Sequence, residues 1–293
     1  MKTIGLIGLG LMGLPMARNL IAAGYDVVGY RRTECSDFRS IGGRPLGSCA
    51  EVASAADIIL SCIPDDAALQ TVVSGPEGIA SINCDGKLVV ELSTLSESVK
   101  SAEAARLAQQ GGTMLDGSIS GLPPMVTARA AVFFLSGDEK DYETARPVLD
   151  AVTQKHFFMG GFGAATRTKL CANMLVAANL AATAEMLTFG ARQGLDLHRL
   201  VEALGDGAGS SIQFKARAAK MARGDWDVPL GKTGTLAKDV ALIAAAAEDH
   251  GCPMPVLAGV RAVFDAAMRD GWAEKDVASI YAAAARAAGV PLP

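Results

Sequence analysis

Residues 3–19 read TIGLIGLGLMGLPMARN, and this stretch predicts the fold of the first half of the chain. An apolar run at 4–7 leads directly into a glycine turn, and a helix-compatible segment follows at 14–23. Strand, glycine turn and helix in this order form a dinucleotide-binding fingerprint: the glycines allow a tight turn, close approach of a pyrophosphate and close helix packing. The free N–H groups at the helix start would bind the phosphates. The residues predicted to bind a dinucleotide here are Gly8, Leu9, Gly10, Leu11, Met12 and Gly13.

Short apolar segments alternate with helical ones up to about residue 160. We predict strands at 3–7, 26–30, 58–62, 88–92, 114–118, 131–136 and 155–159, with helices such as 14–23 and 96–110 between several of them. This alternation is typical of a largely parallel sheet with helices on both faces. The first half is therefore predicted to be an α/β Rossmann-type domain with a parallel sheet.

The second half has a different pattern, because alanine-rich segments there carry apolar residues at helical spacing. Residues 165–193 have no proline and no glycine before Gly190, so they would form a helix of roughly 43 Å at about 1.5 Å per residue. Further helices are predicted at 198–203, 213–223, 235–250, 255–270 and 277–288. A chain of 293 residues exceeds the usual size of one core. We predict a Rossmann domain at 1–162 and an all-helical substrate and oligomerisation domain at 163–293, joined by the long helix.

Composition excludes several function classes. A net charge of −4 without a basic aromatic patch argues against nucleic-acid binding. No uninterrupted apolar run approaches the ~18 residues that span a bilayer, and the start does not read as a signal peptide. The six cysteines and three histidines have no metal-type spacing. We therefore expect a cytoplasmic protein with reduced cysteines, no metal, and neither nucleic acid nor membrane as a partner.

The end of the second predicted strand indicates which dinucleotide binds. A carboxylate about 20 residues after the glycines would bind the ribose 2′-hydroxyl of NAD. Here the strand is followed by Arg31, Arg32 and Thr33. Guanidinium and hydroxyl groups suit a 2′-phosphate, which favours NADP(H) and leaves NAD(H) as the alternative.

Two later strand ends are also expected to contact the cofactor, since ligands in this fold lie at the carboxyl ends of strands. One predicted strand ends in the segment Cys62, Ile63 and Pro64, and another is followed by Thr94. Nothing basic lies near Cys62 in sequence to activate its thiol, so we interpret it as a small wall residue and not as a nucleophile.

Lys169 and Asn173 lie four residues apart on the predicted long helix, so both side chains share one face. At this point four motifs in order resemble the β-hydroxyacid dehydrogenases of the 3-hydroxyisobutyrate dehydrogenase and tartronate semialdehyde reductase type, whose helical domain resembles that of 6-phosphogluconate dehydrogenase. The motifs are IGLGLMGLPMARNL at 7–20, DGSISG at 116–121, GGFG followed by KLCAN across 160–173, and LAKDVAL at 236–242.

The resemblance implies a role for each matching residue. Lys169 would be the catalytic lysine, Asn173 would orient the substrate, and Ser120 with Gly121 would bind the substrate carboxylate. Lys238 would lie near the nicotinamide and the reacting group. The chemistry agrees, because a lysine whose pKa falls from about 10.4 toward 7–8 can give and take the proton that accompanies hydride transfer.

The chain departs from the family pattern in the substrate block, where the family resembles DAPVSGGxxGAxxG. Leu122, Met125 and Arg129 replace three of these glycines. A phenylalanine that the family tends to place two residues after a proline is absent, and Gly231 stands there. We expect Leu122 to line the substrate site, and Leu122, Met125 and Gly231 together to admit a bulkier or less polar substrate than tartronate semialdehyde.

Two other functions stay open. An imine reductase-like NADPH oxidoreductase would share the layout, but those enzymes usually carry an acidic residue or a tyrosine in place of Lys169. A non-catalytic NADP-binding module is the second, because substrate-loop glycines are altered. The retained lysines favour an NAD(P)-dependent oxidoreductase that interconverts a 3-hydroxy acid and its semialdehyde or keto acid. Its partners would be a small-molecule hydroxy acid or aldehyde and, because the long helix is apolar, further copies in a homodimer or homotetramer.

Overall fold

The computed structural model describes residues 2–293, and one sheet of eight strands occupies the first part of that range. The strands are β1 (Thr3–Ile7), β2 (Asp26–Tyr30), β3 (Arg44–Pro45), β4 (Ile58–Ser61), β5 (Leu88–Glu91), β6 (Thr113–Ser120), β7 (Val132–Ser136) and β8 (Lys155–Phe158). Their order is β3-β2-β1-β4-β5-β6-β7-β8. Neighbouring strands are parallel except β6 and β7, which pair antiparallel. The predicted Rossmann-type sheet is confirmed, with that antiparallel pair and the short β3 as features the sequence analysis did not predict.

Alternation within the strands explains why helices cover both faces. Side chains of one parity, such as Ile58 and Leu60, pack into one core cluster, while Ile59 between them packs into a second cluster. All three are at most 2% exposed. Because successive side chains point to opposite faces, a strand that is apolar at every position must be buried on both faces.

The helices of this part connect the strands. They are α1 (Gly13–Ala22), α2 (Ser36–Ser40), α3 (Cys49–Ala55), α4 (Asp66–Ser74), α5 (Glu97–Gln109), α6 (Pro123–Thr127) and α7 (Glu139–Val152). The strand order reverses between β1 and β4, so the carboxyl ends of these two strands form the switch point at which this fold binds ligands.

The remainder of the chain is helical, as predicted. Its helices are α8 (Ala164–Arg192), α9 (Leu197–Gly205), α10 (Ile212–Arg223), α11 (Thr233–Asp249), α12 (Pro255–Arg269) and α13 (Ile280–Ala287). The helix predicted at 277–288 begins instead as a 3-10 turn, Val277–Ser279, which the Asp276 carboxylate caps by accepting a hydrogen bond from the N–H of Ala278 at 3.1 Å.

Internal contacts divide the chain into unit 1, Met1–Lys169, and unit 2, Leu170–Pro293. The division lies within α8, whereas the predicted domain boundary lies just before this helix. Among the helices of residues 2–293, α8 alone is long and apolar enough to cross a bilayer, and 39% of its most apolar window is buried. The core helix of a helical domain meets the same criteria of length and composition.

Candidate active site and cofactor-binding turn

The turn after β1 requires glycine at two positions. Gly8 has a φ of +93°, and a Cβ added there would lie 2.0 Å from the carbonyl oxygen of Cys62. A Cβ added at Gly13 would lie 1.9 Å from the carbonyl oxygen of Gly8. The Gly8 N–H donates to the Tyr30 carbonyl at 3.0 Å, so the turn contacts the ends of both neighbouring strands.

The space in front of this turn fits the phosphates of a dinucleotide. A Cβ added at Gly10 would meet no heavy atom within 4 Å, so a ligand can approach the backbone there. No side chain caps the start of α1, whose N-cap residue is Met12. An uncapped helix N-terminus presents N–H groups and a partial positive charge to an anion. These residues therefore fit the pyrophosphate of a nicotinamide dinucleotide.

Arg31 and Arg32 at the tip of β2 are both predicted to bind the cofactor, but the structure places them in different environments. The Arg31 guanidinium forms an ion pair with Asp37 at 2.6 Å and donates to the Leu9 carbonyl at 2.9 Å. The hydrogen bond between them raises the pKa of Arg31 and lowers that of Asp37. Arg32 and Thr33 are exposed, and within residues 2–293 the Arg32 side chain has no hydrogen bond or ion pair. Of the two guanidiniums, only that of Arg32 is therefore unengaged.

The ends of β4 and β5 are joined by hydrogen bonds. The N–H of Ile63 donates to Ser93 Oγ at 2.7 Å, and the N–H of Ser93 donates to Glu91 Oε1 at 2.7 Å. Glu91 is fully buried, and burial raises its pKa although Lys100 acts in the opposite direction. Thr94 follows directly and is half-buried. The predicted cofactor-contacting segments, 62–64 and 94, are thus held together at this edge of the sheet.

Cys62 lies at the same strand end. Burial raises the pKa of its thiol to about 12, so the thiol stays protonated at neutral pH. A protonated thiol is a poor nucleophile, which agrees with its interpretation as a wall residue.

The end of β6 carries the predicted carboxylate-binding residues. A Cβ added at Gly121 would lie 2.8 Å from the Cβ of Ala131, so glycine is required there. Leu122 is half-buried and precedes α6 as its N-cap residue, while Met125 packs against a core cluster of unit 1. Of the two bulky substitutions, Met125 is used in packing, and Leu122 is the residue next to the predicted substrate-binding pair.

Arg129 has an unusual backbone for a side-chain-bearing residue. Its φ is +55°, in the left-handed region that a family glycine would adopt readily. The guanidinium donates to the backbone carbonyl of Asp150 near the end of α7. This contact assigns Arg129 a structural role in unit 1.

Lys169 and Asn173 both lie on α8, as predicted. Lys169 is 8% exposed and Asn173 is 5% exposed, so both are buried. Within unit 2, Asn173 Nδ2 donates to Asp239 Oδ2 at 2.6 Å, and Lys238 Nζ lies 3.2 Å from Asp239 Oδ1. Asp239 therefore connects Asn173 with Lys238.

Sequence reasoning assigned no role to Asp239, Asp37 or Asp116. The signals for two of them were present: Asp239 follows Lys238 in the LAKDVAL motif, and Asp116 begins the DGSISG motif. Their partners lie 66 and 50 residues away in sequence, at Asn173 and Thr166, and local patterns do not reveal such pairs.

Comparison with known proteins identifies the family. Residues 3–161 match the NAD binding domain of 6-phosphogluconate dehydrogenase, and residues 163–292 match the family described as NAD-binding of NADP-dependent 3-hydroxyisobutyrate dehydrogenase. The chain belongs to the β-hydroxyacid dehydrogenase family. The L-threonate dehydrogenase of Cupriavidus necator is 30% identical to this family member, and the alignment covers 95% of each chain. A 3-hydroxyisobutyrate dehydrogenase structure from Salmonella typhimurium has a TM-score of 0.89 at 26% identity, covering 96% of this chain and 99% of the other.

Membership in this family makes the protein an oxidoreductase that uses a nicotinamide dinucleotide and acts on hydroxy acids, as predicted. An imine reductase structure from a Pseudomonas species has a TM-score of 0.62 at 23% identity and covers 96% of this chain and 99% of the other. At that identity the likeness extends to the fold alone. The hydroxyacid dehydrogenases therefore fit this family member better than the imine reductases.

Proposed function

We propose that the protein interconverts a 3-hydroxy acid and its semialdehyde or keto acid with NADP(H), and that Lys169 transfers the proton. The observation that carries this proposal is the burial of Lys169 at 8% exposure on the helix that follows the glycine turn 160–163. Lysine side chains are rarely buried in folded proteins. A buried lysine is also one whose pKa shifts readily, which suits a group that both gives and takes a proton.

The bound dinucleotide supplies or accepts the hydride at the nicotinamide ring. When a carbonyl carbon receives hydride, its oxygen becomes an alkoxide, and the Lys169 ammonium gives that oxygen a proton. In the oxidative direction, the neutral Lys169 amine takes the hydroxyl proton as hydride leaves the carbon. A positioned acid–base group of this kind contributes about 10²- to 10⁴-fold in rate.

The other predicted site residues divide between binding and orientation. We assign carboxylate binding to Ser120 and Gly121, where β6 of unit 1 ends. We assign substrate orientation to Asn173, whose amide is itself oriented by Asp239 at 2.6 Å. The Lys238 ammonium lies close to the Asp239 carboxylate. The two side chains therefore present a dipole and not an isolated positive charge.

We also propose that the protein prefers NADP(H) to NAD(H). Arg32 and Thr33 are exposed at the tip of β2, and neither position carries the carboxylate that would bind a ribose 2′-hydroxyl. Arg31 is engaged by Asp37 and by the Leu9 carbonyl, so it stabilises the turn and leaves phosphate binding to Arg32.

Arg32→Ala is expected to raise the KM for NADPH by roughly 10- to 100-fold, because a charge-assisted hydrogen bond is worth about 1.5–3 kcal/mol. The KM for NADH should stay unchanged, since NADH has no 2′-phosphate. Arg39→Ala, at an exposed arginine of α2, is the control. Steady-state kinetics with both cofactors measure the effect. A wild-type preference for NADH, or equal effects on both cofactors, would overturn the assignment of Arg32.

The substrate is proposed to be larger or less polar than the smallest semialdehydes. Leu122 stands beside the proposed carboxylate-binding pair and adds apolar surface that a family glycine would not provide. In unit 2, Gly231 provides no side chain to fill the space around it. Its carbonyl accepts a hydrogen bond from the N–H of Val277 at 2.9 Å, which holds the backbone in place.

The function is tested by following NADPH absorbance with a series of semialdehydes of increasing bulk, and NADP⁺ with the corresponding 3-hydroxy acids. We expect turnover with the bulkier, less polar members, and a higher KM for these members in Leu122→Gly, because the apolar contact with the substrate is lost. Leu292→Gly, at an exposed leucine near the end of the chain, is the matched control. Turnover with none of the series would contradict the function, and a wild-type preference for the smallest members would contradict the substrate class alone.

A further inference from the structure

An ion pair is completely buried inside unit 1, outside the groups that the proposed reaction uses. Lys100 Nζ on α5 lies 2.9 Å from Asp116 Oδ1 on β6, and both side chains are 0% exposed. Lys100 Nζ also donates to the Gly117 carbonyl at 2.8 Å. Desolvation makes a buried pair expensive unless further hydrogen bonds satisfy both groups. The remaining lone pairs of Asp116 therefore need donors.

Those donors come from the start of the helix that carries Lys169. Thr166 Oγ1 donates to Asp116 Oδ1 at 2.6 Å, and the N–H of Thr166 donates to Asp116 Oδ2 at 2.9 Å. Ser136 Oγ on β7 donates to the same Oδ2 at 2.9 Å and accepts from the N–H of Ala165 at 2.9 Å. The first N–H groups of a helix have no partner within the helix. Here the sheet provides those partners.

Asp116 remains charged in this buried position. Burial tends to raise the pKa of its carboxyl, but the attraction of Lys100 and the hydrogen bonds of Thr166 outweigh burial and lower the pKa. A carboxylate accepts stronger hydrogen bonds than a neutral group. The start of α8 is thus held by charge-assisted bonds that a neutral residue would not supply.

We propose that Asp116 is a positioning residue for Lys169. Asp116 lies on the strand that ends at Ser120, and its hydrogen bonds hold Thr166, which precedes Lys169 by less than one helical turn. One carboxylate therefore links the strand of the carboxylate-binding residues to the helix of the proton-transferring residue. This inference rests on the proposed function of Lys169.

The rate of the catalysed reaction depends steeply on the position of the proton-transferring group, since a misplacement of about 1 Å can lower the rate by about 10²-fold. Asp116 itself is a poor site for a test because its loss would leave Lys100 buried without a partner and could prevent folding. Thr166→Val removes only the hydroxyl that bonds Asp116 Oδ1 and keeps the shape and the N–H contact.

Thr166→Val is expected to lower kcat by about tenfold or more with the KM for the cofactor unchanged, and Thr166→Ser should keep a kcat near that of the wild type. Thr188→Val is the matched control, because that buried hydroxyl on the same helix bonds only the Ala184 carbonyl four residues earlier. Equal losses of kcat in both valine variants, or no rescue by serine, would overturn the proposal.

A double-mutant cycle separates this proposal from the function on which it rests. If Asp116 acts through Lys169, Thr166→Val should have no further effect on kcat once Lys169 is methionine. An undiminished further loss in that background would show that Thr166 acts elsewhere and would overturn the positioning role. Near-normal kcat in the single variant Lys169→Met would instead overturn the proposed function, whatever Thr166→Val does.

Discussion

Lys169→Met is expected to lower kcat by about 10²- to 10⁴-fold, which is the contribution of a positioned acid–base group. Methionine keeps an unbranched stem of similar volume in this buried position, so packing should change little. It has no proton to exchange, so the alkoxide or hydroxyl oxygen loses its partner. The dissociation constant for NADPH should stay unchanged, because the glycine turn and the β2 tip are intact. Steady-state kinetics and a fluorescence titration of NADPH measure the two quantities.

Arg167→Met is the matched control for this variant. Arg167 is an exposed cation two residues earlier on α8 and pairs with Glu97, so its loss removes a charge from the same turn without touching a buried group. We expect its kcat to stay near that of the wild type. Similar losses in both variants would attribute the effect to the helix start and contradict a specific role for Lys169.

Chemical rescue provides a second check on the same prediction. Lys169→Ala leaves space for a small primary amine, which should restore part of the rate in proportion to its concentration.

The sheet could be predicted from the sequence because its strands are continuous apolar runs. The segments 3–7 and 26–30 are strands with those same bounds. The two-residue β3 was missed because Arg44 and Pro45 have neither the length nor the apolar character of a strand and are ordered by pairing with β2. The antiparallel pairing of β6 and β7 could not be predicted from the apolar pattern. Strand direction depends on the path of the chain between the strands, and an apolar run has the same pattern in either direction.

The site could be predicted only as far as its residues form local motifs. The glycine turn, Lys169 and Asn173 lie in motifs with fixed spacings, and for this reason the sequence predicts them as site residues. The acidic residues that bind the predicted site residues could not be predicted. Asp37 engages Arg31, and Asp239 engages Asn173, through contacts that depend on how loops and helices meet. Charge and spacing alone made Arg31 and Arg32 equivalent, and only the geometry of the β2 tip distinguishes them.

Gly13→Ala and Gly10→Ala are expected to impair the dinucleotide-binding turn for different reasons. A Cβ at position 13 would lie 1.9 Å from the backbone oxygen of Gly8, and backbone atoms cannot yield as a flexible side chain can. The turn after β1 and the start of α1 would have to separate, which we expect to cost about 3 kcal/mol of folding free energy. A loss of that size lowers Tm by roughly 6–12 °C. Position 10 has no heavy atom within 4 Å of an added Cβ, so Gly10→Ala should keep the Tm of the protein without cofactor.

The methyl group of Gly10→Ala would instead occupy the space that the pyrophosphate approaches. We expect the affinity for NADPH to fall by about tenfold or more, since the loss of one charge-assisted hydrogen bond already accounts for about 1.5–3 kcal/mol. Gly209→Ala is the control, because that loop position also has no atom within 4 Å and no positive φ. Thermal melts without cofactor and NADPH titrations separate the three variants. An unchanged Tm for Gly13→Ala would contradict the close packing of α1 on the turn, and unchanged NADPH affinity for Gly10→Ala would mean that the phosphates bind elsewhere.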